Sequence, residues 1–453
     1  MKRIWEWMHG RGRSVVIAVT VVLAFAIVLH YFLVEKNGNW GGDSGTSSAL
    51  ATAAPRSMEE TVIGGDTIGE VPEENSNASD EEPVASKEDA DNSDKESAVP
   101  RQDADNSDKE PVALAQAANT LDKQPAMSVK ASVSSEDTSI HLGFAGDITL
   151  DDTSLVMRHM RQQGSLDKVI SPKLINKMNG YDAMIINNEF SISKRGKAMP
   201  GKVYTFRSKP QNLKYLKQLG IDVAGLANNH IYDYGKNAFL DTLKYLKKAD
   251  ILTMGAGKNS AEAKEPVYLT IKGKTIALVA ATRAEKYILT PEAKKNTPGV
   301  FRTYNDKQYV KQIKKAGKKA DYVIAYVHWG TEYSTELEQA QIEQAKDYIN
   351  AGADAVVGAH THCMQGIGYY KGVPIFYSLG NFWFNGKTLY TTVLELTIDS
   401  EGKLSAKLEP CLQKGKETKL LTKKKQVKKF VEHINGISTN GRLDAECNVK
   451  MVK

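Results

Sequence analysis

Tyr322-Val-Ile-Ala-Tyr-Val-His328-Trp-Gly330 and Ala355-Val-Val-Gly-Ala-His360-Thr-His362 are two short apolar runs, each ending in histidine. Between them Ile342, Ala345 and Ile349 recur at helical spacing, and Gly352 stands where a helix C′ glycine belongs. That is the pattern of a strand, a crossover helix and a second strand, both strands buried on two faces. The alternation continues on either side. Residues 141–145, 183–186, 223–226, 276–280 and 374–377 read as further buried strands. Leu213/Leu216, Leu240/Leu243/Leu246 and Val310/Ile313 mark helices between them, with Gly220 and Gly317 as stops. Residues 391–398 and 404–408 turn to β character before a Lys-rich tail. Residues 141–453 are thus expected to form one large α/β domain with a substantial core.

The polar residues able to do chemistry sit at the C-terminal ends of these strands, the edge where open α/β sheets bind ligands. They are Gly146-Asp147, Asn187-Asn188-Glu189, Ala227-Asn228-Asn229-His230, His328-Trp329-Gly330 and Gly358-Ala359-His360-Thr361-His362. Each alone has a plain reading: Asp147 as a turn or N-cap, Asn228-Asn229 as a turn pair, a lone histidine as structural. Together they offer hard and borderline ligands suited to Mn, Fe, Zn or Mg. His360 and His362 can each present an imidazole nitrogen to a shared site. Paired metals clamp the attacking and leaving oxygens of phosphoryl transfer. His230 suits transition-state stabilisation or general acid work, with Asp233 close enough in sequence to orient it.

The first 140 residues read differently. Residues 14–34 form a 21-residue uncharged run, preceded by Lys2, Arg3, Arg11 and Arg13 and followed by Glu35 and Lys36. That length suits a membrane span, and the basic flank places residues 1–13 in the cytoplasm and the main domain outside the cell membrane. A cleavable signal is the alternative, but Ala49-Leu50-Ala51 and Ala51-Thr52-Ala53 lie far beyond the apolar run. An uncleaved single-pass anchor is the expectation. Residues 35–140 have the composition of a disordered acidic linker, in which Asp-Ala-Asp-Asn-Ser-Asp-Lys-Glu occurs at 89–96 and again at 103–110. Net charge is +2 over residues 1–55, −14 over 56–140 and +18 over 141–453, which together give the +6 of the whole.

A domain of net charge +18 attracts polyanions. Anionic polymers and anionic lipid qualify, and an extracellular location argues against nucleic acid. The densest run is Lys423-Lys-Lys425 with Lys428-Lys429, which reads equally well as a solvated or lipid-facing helix. Gly255-Ala-Gly257-Lys-Asn-Ser260 lacks the third glycine of a dinucleotide fingerprint and reads as a tight turn. No Gly-x-Ser-x-Gly elbow supports a serine hydrolase. Three cysteines and no CxxC exclude a disulfide scaffold or zinc ribbon, though Cys411 and Cys447 could pair outside the cell. Cys363 reads as a buried thiol, and Trp329, Trp383 and Phe384 read as core before cleft.

The ordered set Gly143-Phe-Ala-Gly-Asp147, Asn187-Asn-Glu189, Tyr204-Thr-Phe-Arg207, Leu226-Ala-Asn-Asn-His230, Asp233-Tyr-Gly235, Gly255-Ala-Gly257, His328-Trp-Gly330, Gly358-Ala-His-Thr-His362 and Tyr377-Ser-Leu-Gly-Asn-Phe382 resembles the calcineurin-like metallophosphoesterases. It is most similar to the CapA/PgsA branch of capsule biosynthesis proteins. The resemblance implies a four-layer α/β/β/α metallophosphoesterase-like sandwich with an extracytoplasmic role in making or exporting poly-γ-glutamate. Partners would be a ligase-like subunit and a multi-span membrane subunit. Carried over by position, Asp147, His360 and His362 are implied as metal ligands and Glu189 as the bridging carboxylate. Asn229 and His328 would serve a second metal, and His230 would be the catalytic histidine. Thr149 stands where the wider superfamily has the His of Asp-x-His, and Glu189 where it has Asp. Two other readings stand beside this one: a surface metal-dependent phosphoesterase or polymer hydrolase, and a non-catalytic polyanion-binding scaffold.

Overall fold

The computed structural model describes residues 127–128, 138–284 and 289–452. The anchor expected at 14–34, and the linker expected at 35–140 up to residue 137 apart from 127–128, lie outside the described residues. Among the described residues no helix is long and apolar enough to cross a membrane.

The chain starts one sheet, builds a second, then returns to finish the first. Strands β1 (Ile140–Ile148), β2 (Ala183–Asn188), β3 (Val223–Gly225) and β4 (Leu252–Met254) pair in parallel in that order. The second sheet takes β5 (Val267–Ile271), β6 (Lys274–Thr282), β7 (Tyr322–His328), β8 (Ala355–Ala359), β9 (Ile367–Tyr370) and β10 (Val373–Phe376). Its spatial order is β5-β6-β7-β8-β10-β9, with Met127–Ser128 paired beside β5. The chain then crosses back. β11 (Asn381–Trp383) runs parallel to β1, and β12 (Leu389–Ile398), β13 (Leu404–Lys414) and β14 (Glu417–Leu420) extend the first sheet antiparallel from β1.

Strand alternation sorts the apolar residues into three cores. Leu142 and Phe144 of β1, Ile185 of β2, Leu278 of β6, Ile324 of β7, Val357 of β8 and Leu394 of β12 share one cluster, which lies between the two sheets. Their neighbours Ala145, Met184, Ile186 and Val393 join a second cluster on the far face of the first sheet. Ala277, Val279, Val323, Ala325 and Val356 join a third on the far face of the second sheet. A strand with both faces buried must be apolar at odd and even positions alike, hence the continuous runs in the sequence. Helices cover the outer faces. On the first sheet, α1 (Leu155–Gln163), α2 (Pro172–Asn179), α3 (Leu213–Gln218) and α4 (Gly235–Lys248) bury Met157, Leu174, Leu216 and Phe239. On the second, α5 (Ser260–Lys264), α6 (Lys307–Ala316) and α7 (Gln339–Asn350) bury Ala263, Ile313 and Ala345. Each Leu, Ile or Phe so buried contributes about 1.5–3 kcal/mol.

Several sequence readings change. The Lys-rich tail is not merely a tail: α8 (Lys424–Ile437) buries Phe430 and Ile434 in the core between the sheets, leaving its lysines outside. Gly220 and Gly352 have the left-handed φ of helix stops, 72° and 104°, but Gly317 stays helical at −62°. In the Gly255–Ser260 stretch Ala256–Gly257 pair antiparallel with Gly299–Val300, and the chain then bends into α5, capped by the Asn259 side chain, which accepts from Ala261 N and Glu262 N. All three cysteines are free and buried. Cys411 lies in the helix-side core and Cys447 in the inter-sheet core, so the two do not pair.

One polar cluster is set against the first sheet. Glu395 accepts from His141 Nδ1 at 3.0 Å and lies 3.6 Å from Lys177 Nζ, which also sits 3.0 Å from Glu409. The His141 hydrogen bond, opposed by burial and helped by Lys177, holds the Glu395 carboxyl down at about 2. A depressed carboxyl adds stability that is complete above its unfolded value near 4.3 and is lost as pH falls towards 2. Glu395→Gln is therefore expected to cost about 1 kcal/mol at pH 7, after solvent screening, and nothing near pH 2. Urea midpoints across pH 2–7 check this; a gap that persists unchanged at low pH would contradict it.

Candidate metal centre

The β1–β2 register sets Asp147 opposite Asn187, and the β2–β3 register sets Asn187 opposite Gly225, so the polar segments that follow these strands begin level. The shift between Ala145 and Asp147 is a bulge, a device that re-aims a strand-end side chain. In the second sheet His328 ends β7 opposite Ala359 of β8. Immediately beyond β8 the chain takes positive φ at two non-glycine residues, His360 at 101° and His362 at 55°. Such conformations cost about 1–3 kcal/mol each and persist where surrounding structure enforces them.

Two ligand groups result. Side-chain donor atoms of Glu189, His328 and His360 all lie within 4.8 Å of one another, as do those of Asp147, Glu189 and His362. Glu189 belongs to both. Asp147, Glu189 and His328 are fully buried, and His360 and His362 nearly so. At the middle is Asn187, whose side-chain amine faces Asp147 Oδ1 at 2.7 Å, Glu189 Oε2 at 3.0 Å and His328 Nδ1 at 3.3 Å. Three acceptors converge on an amine with two hydrogens. Three further buried atoms, Asp147 Oδ2, Glu189 Oε1 and His360 Nδ1, have no hydrogen-bond partner among the described residues. Asp147 Oδ2 lies 3.3 Å from His362 Nδ1, which instead meets Asn381 Oδ1 at 2.9 Å. Buried acceptors outnumbering donors, on carboxylate and imidazole groups, fit one or two divalent cations.

The electrostatics agree. Burial, and then the nearby Asp147, push the Glu189 carboxyl well above its usual range. Burial, and then the neighbouring histidines, push His328 and His360 well below theirs. Burial works to lower His362 as well, but Asp147 outweighs it and its value rises. The protein alone cannot stabilise Glu189, His328 and His360 in their charged forms, so these three lean towards neutrality, while Asp147 draws His362 towards its charged form.

Beside this cluster sits an oriented pair. His230 Nδ1 is 2.7 Å from Asp233 Oδ2; a carboxylate only accepts, so Nδ1–H donates and a neutral ring keeps its lone pair on Nε2, 4.0 Å from Glu189 Oε1. Burial outweighs Asp233 and lowers the His230 value, favouring that neutral ring. Asp233 is itself fastened, accepting from Phe206 N at 2.7 Å and lying 2.8 Å from Lys202 Nζ. The Lys202 side chain is 7% exposed and its ammonium also donates to the Asn229 carbonyl. Phe206 packs on His230 and Phe384 on His362, with ring centres 4.3 and 4.5 Å apart, so aromatic rings flank the histidines.

Residues 141–386 match the family described as bacterial capsule synthesis protein PGA_cap. The chain belongs to that family. Among its relatives, the PGA biosynthesis protein CapA of Bacillus subtilis is 32% identical over 261 residues, 57% of this chain and 67% of that one. The capsule biosynthesis protein CapA of Bacillus anthracis is 40% identical over 182 residues, 39% of this chain and 44% of its own length. The match thus spans about two thirds of the first relative and under half of the second. Among solved structures, the Haemophilus influenzae NAD nucleotidase is a distant likeness: 14% identity, TM-score 0.35, covering 68% of this chain and 64% of that one.

In this PGA_cap protein all eight residues singled out in the sequence, Asp147, Glu189, Asn229, His230, Asp233, His328, His360 and His362, come together in one buried region. Their grouping differs from the one the resemblance implies. His360 falls with His328 and Glu189, while Asp147 and His362 form the other group. Asn229 touches His328 through its side chain, Oδ1 to Nε2 at 2.9 Å. Thr149 is buried, and its hydroxyl accepts from Asp151 N at 3.3 Å, a contact within a turn. Sequence reasoning missed Lys202, which sits in an irregular loop where no periodicity marks a buried lysine. It also gave Asn187 and Asn381 no role, although both stand in the quoted motifs. Phe384 flanks the site, while Trp329 and Trp383 are fully buried in the two helix-side cores.

Proposed function

We propose that this PGA_cap protein is a membrane-anchored, extracytoplasmic component of poly-γ-glutamate capsule synthesis and export, and that it handles the emerging polymer through a divalent-metal centre. Its N-terminus would be cytoplasmic and its main domain outside, working with a ligase-like and a multi-span membrane subunit. The observation that carries the reading is the convergence of buried, under-hydrogen-bonded carboxylates and imidazoles within the segment that matches the family. Asp147, Glu189, His328, His360 and His362, with Asn229 beside them, would hold Mn, Zn, Fe or Mg. Such an ion, when bound, polarises a carbonyl or phosphoryl oxygen. His230, its Nδ1–H held by Asp233, would accept or return a proton at Nε2. Lys202 fixes Asp233 and the Asn229 main chain, so that His230 cannot swing away.

Surface poly-γ-glutamate in cells carrying His360→Ala/His362→Ala tests this reading. Loss of polymer at equal membrane-fraction protein is expected; normal polymer would overturn it. The His230–Asp233 pair favours a second reading, since a scaffold needs no oriented imidazole: a metal-dependent surface phosphoesterase or polymer hydrolase. Metal-dependent cleavage of a phosphodiester by the purified full chain, abolished by His230→Ala, would favour that reading.

A further inference from the structure

At the outer edge of the first sheet lies a cleft of about 610 Å³, its polar lining supplied by His159, Lys414, Lys416, Glu417, Lys419 and Gln426. Its one carboxylate is already engaged: Glu417 lies 2.5 Å from Lys419 Nζ and 3.3 Å from His159 Nε2. Lys414 and Lys416 have no carboxylate partner among the described residues. Charge here is in excess and directed to solvent.

Hydrogen bonds link the strand bordering the cleft to the rim of the metal centre. Gln413, the residue before Lys414 at the end of β13, donates from Nε2 to Asn385 Oδ1 at 2.9 Å and to the Lys387 carbonyl at 3.1 Å. Its Oε1 accepts from Phe384 N at 3.0 Å, and Phe384 is the ring packed on His362. Lys387 in turn holds its ammonium 3.7 Å from the centre of the Tyr333 ring, itself 5.7 Å from the His362 ring. One glutamine thus ties the wall of the histidine site to the strand on which the basic cleft begins, and an exposed lysine stands between the two.

We propose that Lys387 and the Lys414–Lys419 cleft form a track for a chain of closely spaced carboxylates, leading to or from the metal centre; the proposal rests on the polymer-handling reading above. Every permanent cation in the track is a lysine, a point charge on a flexible stem that meets one carboxylate at a time and imposes no bidentate geometry. Exposed lysine–carboxylate contacts are individually weak, on the order of 0.2–1 kcal/mol. Several in series hold a long polymer while letting each contact exchange, as a moving chain requires.

The test uses the purified full chain in detergent and a labelled poly-γ-glutamate of fixed length, at about 0.15 M salt, where the screening length is about 8 Å. Lys387→Glu/Lys414→Glu/Lys416→Glu is compared with Lys311→Glu/Lys314→Glu/Lys318→Glu, which makes the same charge change on and just beyond α6, across the fold. Loss of about tenfold or more in affinity for the first variant, against twofold or less for the second, is expected. Equal losses would reduce the track to net charge, and no loss would remove it; either overturns the proposal. A Gln triple variant with an unchanged thermal midpoint guards against misfolding. Binding is read without polymer synthesis, so failure here is distinguishable from failure of the His360/His362 reading in cells.

Discussion

With metal removed, Glu189→Gln should raise the thermal midpoint of the protein; with Mn²⁺ added, the same variant should fall below the native chain. The first half follows from burial. Glu189 is fully buried, its Oε1 has no hydrogen-bond donor among the described residues, and its Oε2 shares the Asn187 side-chain amide NH2 with Asp147. A carboxylate in that position costs several kcal/mol when charged and, with its proton affinity driven up, gives away folding energy when it takes a proton instead. The amide keeps the shape and removes the charge. A gain of about 1 kcal/mol corresponds to roughly 2–4 °C. The second half follows from linkage. A metal at a hundred times its dissociation constant adds about 2.7 kcal/mol to the folded state. Glu189 belongs to both ligand groups, so removing its charge weakens whatever binds in either. Melting curves with chelator and with Mn²⁺ check both halves. A Gln variant that melts lower in chelator, or responds to metal as the native chain does, would sink the idea of a centre strained by unmet charge.

That strain also explains why so much of the site could be read from sequence. Strands buried on both faces must be apolar throughout, so a polar residue at the end of one is conspicuous: Asp147, His328 and His360 each break an apolar run, and Glu189 follows the Asn187-Asn188 pair that ends another. The α/β class followed from the same contrast. What lay out of reach was set by long-range geometry. Nothing in residues 389–420 says that they return to the first sheet past the whole of the second; that is decided by pairing between β12 and β1, about 250 residues apart. The grouping of His360 with His328 depends on backbone taken at positive φ, which His-x-His spacing cannot foretell. Lys202 looked like any loop lysine, and its value lies in reaching Asp233 and the Asn229 carbonyl from a different loop. The lysines of α8 made a visible charge run, whereas Phe430 and Ile434 between them gave too short an apolar pattern to announce a docked helix.

Gly146→Ala should be the most damaging of the small substitutions, costing about 3 kcal/mol or more and abolishing metal binding. A Cβ there would stand 1.8 Å from the Gly380 carbonyl oxygen and 2.9 Å from its carbon, backbone atoms that no rotamer change can move aside. The same closeness exists in the other sheet, where a Cβ on Gly358 would stand 2.0 Å from the Tyr377 carbonyl oxygen. The segment from Tyr377 to Asn381 thus lies against the strand ends of both sheets, with Asp147 N donating to Gly380 O at 2.9 Å and Leu379 N to Gly358 O at 3.2 Å. It is the seam that brings Asp147 and His362 to one centre, and its last residue, Asn381, holds His362 Nδ1. Pushing Gly380 away must therefore displace ligands as well as loosen the core. Gly164→Ala is the control: its φ of 82° is also unfavourable to alanine, but nothing lies within 4 Å of the added methyl, so about 1 kcal/mol and native metal content are expected. Chemical denaturation and metal analysis of the two variants decide the matter. Equal stability losses with metal retained in both would mean that the seam yields, and that the two sheet edges are held together by something other than this contact.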